Sequence, residues 1–208
     1  KFDLKIAALF GCAIPTGFGA ISNTAKAKLG QSILILGCGG VGLSAVIAAK
    51  LSSCYPIIAV DINNKKLNLA KKFGASHVIN ISKKNIKKIY HDKKLDYVIE
   101  CTGIKKNVEL AYELTNNYGK TVLVGVSNYK QKPSLDLMPL YFNKKITGSH
   151  GGDGDPGIDI LNYINVINIK KINIKDLITN EYKFQDINKA IKNLRTGKCI
   201  GRTIISII

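Results

Sequence analysis

Short aliphatic runs alternate with longer amphipathic ones through most of this chain. Residues 31–37 (QSILILG) read as a buried strand and 41–51 as an apolar helix. Residues 55–61 (YPIIAVD) give a second strand. The run 63–74 puts Leu67, Ala70 and Phe73 on one helical face and stops at Gly74. A short strand at 77–80 precedes a lysine-rich stretch, 82–94, which predicts a surface helix with Ile86 and Ile89 facing inward. Strands at 95–103 and 119–126 flank a helix at 107–117, and a sixth strand covers 144–149.

Strands that are aliphatic throughout, rather than alternating, are covered on both faces, and helices between them make parallel crossovers. The expected fold is therefore α/β: a doubly wound, mostly parallel six-stranded sheet with helices on both faces, over about residues 20–149. A glycine-rich break follows at 150–157 (HGGDGDPG). A helix at 158–168, a strand at 177–184, a helix at 185–197 and a strand at 199–207 then form a small C-terminal α/β tail.

Composition narrows the partners. The 208 residues are 46% hydrophobic and carry a net charge of +17. The lysines are spread along the whole chain with no aromatic-interleaved basic block, so they read as solvated faces rather than a nucleic-acid surface. A nucleic-acid-binding module is the competing reading, and steep salt dependence of binding would mark it. No apolar run reaches the roughly 18 residues of a membrane span, and no signal peptide is visible. The five cysteines are odd in number and widely spaced, which suits a reducing cytoplasm. The first residue is Lys1, so the expectation is a processed chain or an internal piece of a longer protein.

Candidate chemistry begins at residues 37–42. Gly37, Gly39 and Gly42 fit Gly-x-Gly-x-x-Gly between a strand and a helix. Gly37 permits the tight turn, Gly39 leaves the backbone open to a pyrophosphate, and Gly42 lets the helix pack on the sheet. The helix start offers free N–H groups and the positive end of its dipole. Asp61 ends the second strand, 19 residues after Gly42. A carboxylate there accepts hydrogen bonds from the adenosine ribose and repels a 2′-phosphate, favouring NAD over NADP; the alternative is a cap for the helix at Asn63. Lys66 either reaches the ribose or is a surface lysine.

The segments AALFGCAIPTGFGAI (7–21), GQSILILGCGGVGLSAVIAAK, AVDINNKKLNLAKKFGASHVIN, DYVIECTG and GKTVLVGV together resemble the zinc-dependent medium-chain alcohol dehydrogenases, over nearly the whole chain. The resemblance implies a Rossmann coenzyme domain at 20–150. Residues 1–19 would be the end of a catalytic domain, and 151–208 would return to it. It implies NAD-dependent oxidation of an alcohol, with a polyol or sugar alcohol as one option, assisted by zinc. Cys12 matches a zinc ligand and Thr16 a catalytic residue beside the nicotinamide. Gly37, Gly39, Gly40, Val41 and Gly42 match the phosphate turn, and Asp61 and Lys66 the ribose contacts. Cys101, Thr102 and Gly103, with Val124, Gly125 and Val126, match the strand ends that border the coenzyme. Arg202 resembles a basic residue that pairs with the pyrophosphate, or is a surface residue. The family's amino-terminal domain supplies the other zinc ligands and the proton relay, in a Gly-His-Glu context that none of His77, His91 and His150 shares. His150 lies near the expected carboxamide end of the cofactor. The chain by itself is thus expected to bind NAD without turning over substrate. The partners implied are a small alcohol or carbonyl compound and further copies of the chain, a homodimer or homotetramer joined at the sheet edge near residues 144–149. A zinc-free quinone-reductase-like enzyme and a non-catalytic NAD-binding module are the alternatives.

Overall fold

A computed structural model describes residues 3–90 and 94–207. Six strands form one sheet in the order β3-β2-β1-β4-β5-β6, all neighbours parallel. They are β1 (Ile33–Leu36), β2 (Ile57–Asp61), β3 (His77–Asn80), β4 (Leu95–Glu100), β5 (Thr115–Leu123) and β6 (Lys145–Gly148). The helices before and between them are α1 (Leu4–Ala7), α2 (Ala13–Gly19), α3 (Gly40–Leu51), α4 (Asn64–Phe73), α5 (Ile86–Ile89) and α6 (Lys105–Leu114). This is the doubly wound arrangement expected.

The strands divide their side chains between two cores, as a period of two requires. Ile33, Ile35, Ile57, Ala59, Tyr97 and Ile99 face α2, α3 and α4. Leu34, Leu36, Ile58, Val60 and Val98 face Ile86 of α5 and Leu110, Ala111 and Leu114 of α6. All four residues of β1 are buried, which is why the strand is aliphatic at every position. Helix α3 is apolar nearly all round because it lies between the sheet and α2. Strand order reverses between β1 and β4, and that switch point opens a crevice at their carboxyl ends.

Past the sheet, α7 (Pro156–Ile169) returns to pack on α2, with the Phe18 and Tyr163 rings 5.0 Å apart. Strands β7 (Ile178–Lys183) and β8 (Arg202–Ser206) pair with each other in parallel, joined through α8 (Ile187–Arg195).

Several boundaries differ from the sequence expectation; β4 ends at Glu100 rather than 103, and β8 begins at Arg202 rather than 199. Within the lysine-rich stretch 82–94, only Ile86–Ile89 is helical among the described residues. Lys83 would repel Lys87 one turn on; the Asn80 side chain accepts from the Ser82 amide where the helix was expected to begin, and the Asn85 side chain accepts from the Lys87 amide at the start of the short helix that does form. Ile86 is buried as expected; the side chain of Ile89 and residue His91 lie outside the described residues. Helix α6 ends at Leu114, not 117, because Thr115 turns extended and its hydroxyl bonds the Ala111 carbonyl at 2.8 Å. Strand β5 therefore begins early and ends at Leu123, since the Val124 and Gly125 amides both curl onto the Glu100 carbonyl.

Candidate functional site

The glycine turn leaves β1 through Gly37, at φ +97°, a left-handed conformation that glycine adopts without strain. A Cβ on Gly42 would sit 1.9 Å from the Gly37 carbonyl oxygen, so the helix packs onto the turn only without a side chain there. A Cβ on Gly39 would meet nothing within 4 Å. Gly39 is the N-cap of α3, and the N–H groups of the following turn have no intrahelical acceptor. Open space beside free donors at the positive end of a helix is a cradle for phosphate.

Asp61 is built into this turn. One carboxylate oxygen accepts from the Cys38 amide at 2.8 Å and the other from the Asn63 amide at 2.9 Å. It therefore both caps the approach to α4 and ties the end of β2 to the glycine turn. The Cys38 thiol lies beneath, bonded to the Val60 carbonyl at 3.6 Å. Burial first, and the Asp61 carboxylate second, push its pKa up; Lys66, half-buried on α4, opposes them.

Arg202 comes from the far end of the chain. Its Cδ lies 2.1 Å from where a Cβ on Gly40 would be, so the guanidinium stem runs along the first residue of α3. Strand β8 thus carries a cation to the cradle.

The opposite wall is formed by the ends of β4 and β5. Glu100 is fully buried; its carboxylate accepts from the Thr102 amide at 2.7 Å, from the Thr102 hydroxyl, and from the Gly103 amide at 3.0 Å. Thr102 in turn lies against Gly37, and Gly125 is packed so closely that a Cβ there would meet the Gly103 amide at 2.2 Å. Val126 stands exposed beside Gly103. The half-exposed Cys101 has its thiol pKa raised by desolvation and then by the Glu100 charge.

Helix α2 closes the third side. A Cβ on Gly17 would lie 2.6 Å from the Val41 carbonyl oxygen, so α2 and α3 touch backbone to backbone. That contact brings Thr16 beside the glycine turn; its hydroxyl bonds the Cys12 carbonyl at 2.7 Å. Cys12 is exposed at the start of α2. Among the described residues, no three His, Cys, Asp or Glu side chains gather as metal donors.

Contacts thus link the β1 turn to Asp61, Thr102 and Arg202, Gly103 to Gly125 and Val126, and Gly17 of α2 to Val41; Cys12 is exposed away from these contacts at the start of α2. His77 is taken up with Ser76. His150 is exposed, its amide bonded to Asp153. Sequence reasoning passed over Glu100 and Asp153. A lone acid at the end of an aliphatic strand, and an acid inside a glycine run, were the available signals.

Comparisons with known proteins agree on one family. The model of the zinc-binding dehydrogenases matches residues 40–168. The S-(hydroxymethyl)glutathione dehydrogenase of Saccharomyces cerevisiae is 32% identical, over 99% of this chain and 55% of that protein. Among solved structures, the benzyl alcohol dehydrogenase of Acinetobacter calcoaceticus superposes with a TM-score of 0.87 at 33% identity, covering 96% of this chain and 56% of that one. An alcohol dehydrogenase zinc-binding domain protein from Burkholderia ambifaria gives 0.88 at 28% identity, over 95% and 54%. The chain spans about half the length of the curated relatives it matches.

Proposed function

The chain belongs to the zinc-binding dehydrogenase family, and from that premise we propose that it is the NAD-binding portion of an enzyme that oxidises an alcohol to an aldehyde or ketone. The observation that carries the coenzyme reading is the empty volume at Gly39, flanked by the α3 N-terminus and Arg202. When bound, NAD supplies a nicotinamide ring that accepts hydride.

The chain's own residues bind and orient. The amides of Gly40, Val41 and Gly42, with the Arg202 guanidinium, hold the pyrophosphate. Asp61 and Lys66 bind the adenosine ribose, and the Asp61 charge disfavours a 2′-phosphate. Residues 101–103 and 124–126 border the nicotinamide end, and Thr16 presents its hydroxyl there from α2. Cys12 offers one sulfur donor. A catalytic zinc needs three protein donors, and the described residues gather no such set, so the remaining donors belong to other parts of the enzyme. Residues 20–150 act as the coenzyme domain, with 1–19 and 151–208 belonging to the catalytic domain.

Among the described residues strand β6 is paired on one side only, and Leu137, Met138, Tyr141 and Phe142 lie exposed next to it in sequence. A second copy joined along this edge would extend the sheet and cover those side chains.

Calorimetric titration tests the coenzyme reading. NAD binds at least roughly tenfold tighter than NADP, and Asp61→Ser narrows that ratio. Arg202→Ala weakens NAD while leaving adenosine unchanged. An absence of NAD binding overturns the reading. Robust alcohol-dependent NADH formation by these 208 residues alone overturns the placement of the other zinc donors outside them.

A further inference from the structure

The glycine-rich loop after β6 is held by a polar cluster that the coenzyme contacts do not use. Gly151, Gly152 and Asp153 all have positive φ, at 60°, 94° and 49°. The two glycines adopt this freely, and aspartate is among the few other residues that tolerate it when the side chain hydrogen-bonds locally. The Asp153 carboxylate accepts from the Thr24 hydroxyl at 2.6 Å and from the His150 amide at 2.9 Å. Thr24 is buried, and its hydroxyl also lies 2.7 Å from the Ser149 hydroxyl. An ionised carboxylate only accepts, so Thr24 spends its one proton on Asp153 and Ser149 donates to Thr24. Asn23 adds a bond to the Gly152 carbonyl at 3.2 Å.

This cluster seats the loop on α2. A Cβ on Gly152 would lie 2.3 Å from the Pro15 carbonyl oxygen, and one on Gly19 would lie 2.1 Å from the Gly152 carbonyl oxygen. The loop therefore lies over the helix turn that carries Thr16. At its other end the Ser149 amide bonds the Leu123 carbonyl at 2.8 Å, one residue before Val124. The loop bridges the two elements assigned above to the nicotinamide end.

We propose that Thr24 and Asp153 are positioning residues that fix this loop as the wall of the nicotinamide half of the coenzyme site, without touching the coenzyme. The proposal rests on the NAD reading of the crevice. Its test compares two ligands on the same 208-residue chain: NAD, which fills both halves, and ADP-ribose, which lacks only the nicotinamide. Thr24→Val and Asp153→Ala are expected to weaken NAD roughly tenfold, the scale of one charge-assisted hydrogen bond, and to change ADP-ribose by less than about twofold. Thr24→Ser and Asp153→Asn, which keep a hydroxyl and a residue tolerant of positive φ, are expected to restore NAD binding to within about threefold of wild type. Equal losses for both ligands, or none for either, overturn the proposal. A wild-type chain that binds neither ligand overturns the dinucleotide reading and the proposal together; one that binds both, with unresponsive variants, overturns the proposal alone.

Discussion

The six-stranded sheet and the β7–β8 pair are both parallel, yet their strands live under different conditions. In β1 every residue is buried, and in β2 four of five. In β7 and β8 no residue is fully buried. The difference is cover. The large sheet lies between two helical layers, so its pairing is backed by apolar burial on both faces. The small pair has α8 and a few contacts to the main core, through Ile178 and Ile204. Parallel pairing alone is weak, and the tail shows how little cover suffices to bring a functional side chain, Arg202, to a distant helix end.

Substitutions can break or sharpen this contrast. The largest effect is expected at Gly42→Val, where the new Cβ meets the Gly37 carbonyl, whose peptide unit is held by the Cys38 amide bond to Asp61 at 2.8 Å. A loss of about 4 kcal/mol in urea unfolding is expected. Next comes Ile35→Ala in the doubly covered β1, at about 3 kcal/mol, against about 1 kcal/mol for Ile204→Ala in β8. Equal losses would mean that the tail is as well packed as the sheet. Gly39→Ala separates folding from binding. Its φ is −77° and its surroundings are open, so stability should change by under about 1 kcal/mol while NAD affinity falls at least roughly tenfold.

Thiol labelling reads the same contrast kinetically. Exposed Cys12 should react with a disulfide reagent at least about a hundredfold faster than Cys38, whose thiol is buried and held protonated. Comparable rates would mean that the β1 turn opens readily. The smallest effect concerns Asp153. Thr24 first, and the His150 amide second, lower its pKa below the ordinary carboxylate value. The stabilisation is therefore present above about pH 3.9 and is lost as pH falls through the lower folded-state value. Asp153 is exposed, so the change should be small: urea midpoints of wild type and Asp153→Asn, distinct at pH 5, are expected to draw together as pH falls below about 3.9.

Much of this was legible along the chain. Continuous aliphatic strands gave away a sheet covered twice, and Gly37, Gly39 and Gly42 between strand and helix marked the crevice. Boundaries were less legible where side chains compete with the backbone. The Thr115 hydroxyl ended α6 early, and the Asn80 side chain took the Ser82 amide where the surface helix was predicted to begin. Glu100 was silent because one acid at the end of a strand looks the same whether it faces solvent or organises a buried loop.

The order of residues by itself determined the α/β class, the glycine turn and the acid after the second strand, because periodicity and glycine conformational freedom are local properties. Only the tertiary structure decided that Arg202 reaches Gly40, that Asp61 binds the Cys38 amide, and that Asp153 and Thr24 clamp a loop to α2. Those contacts join positions 23 to 162 residues apart. No local pattern encodes such approaches; they arise when buried strands fix the register of everything attached to their ends.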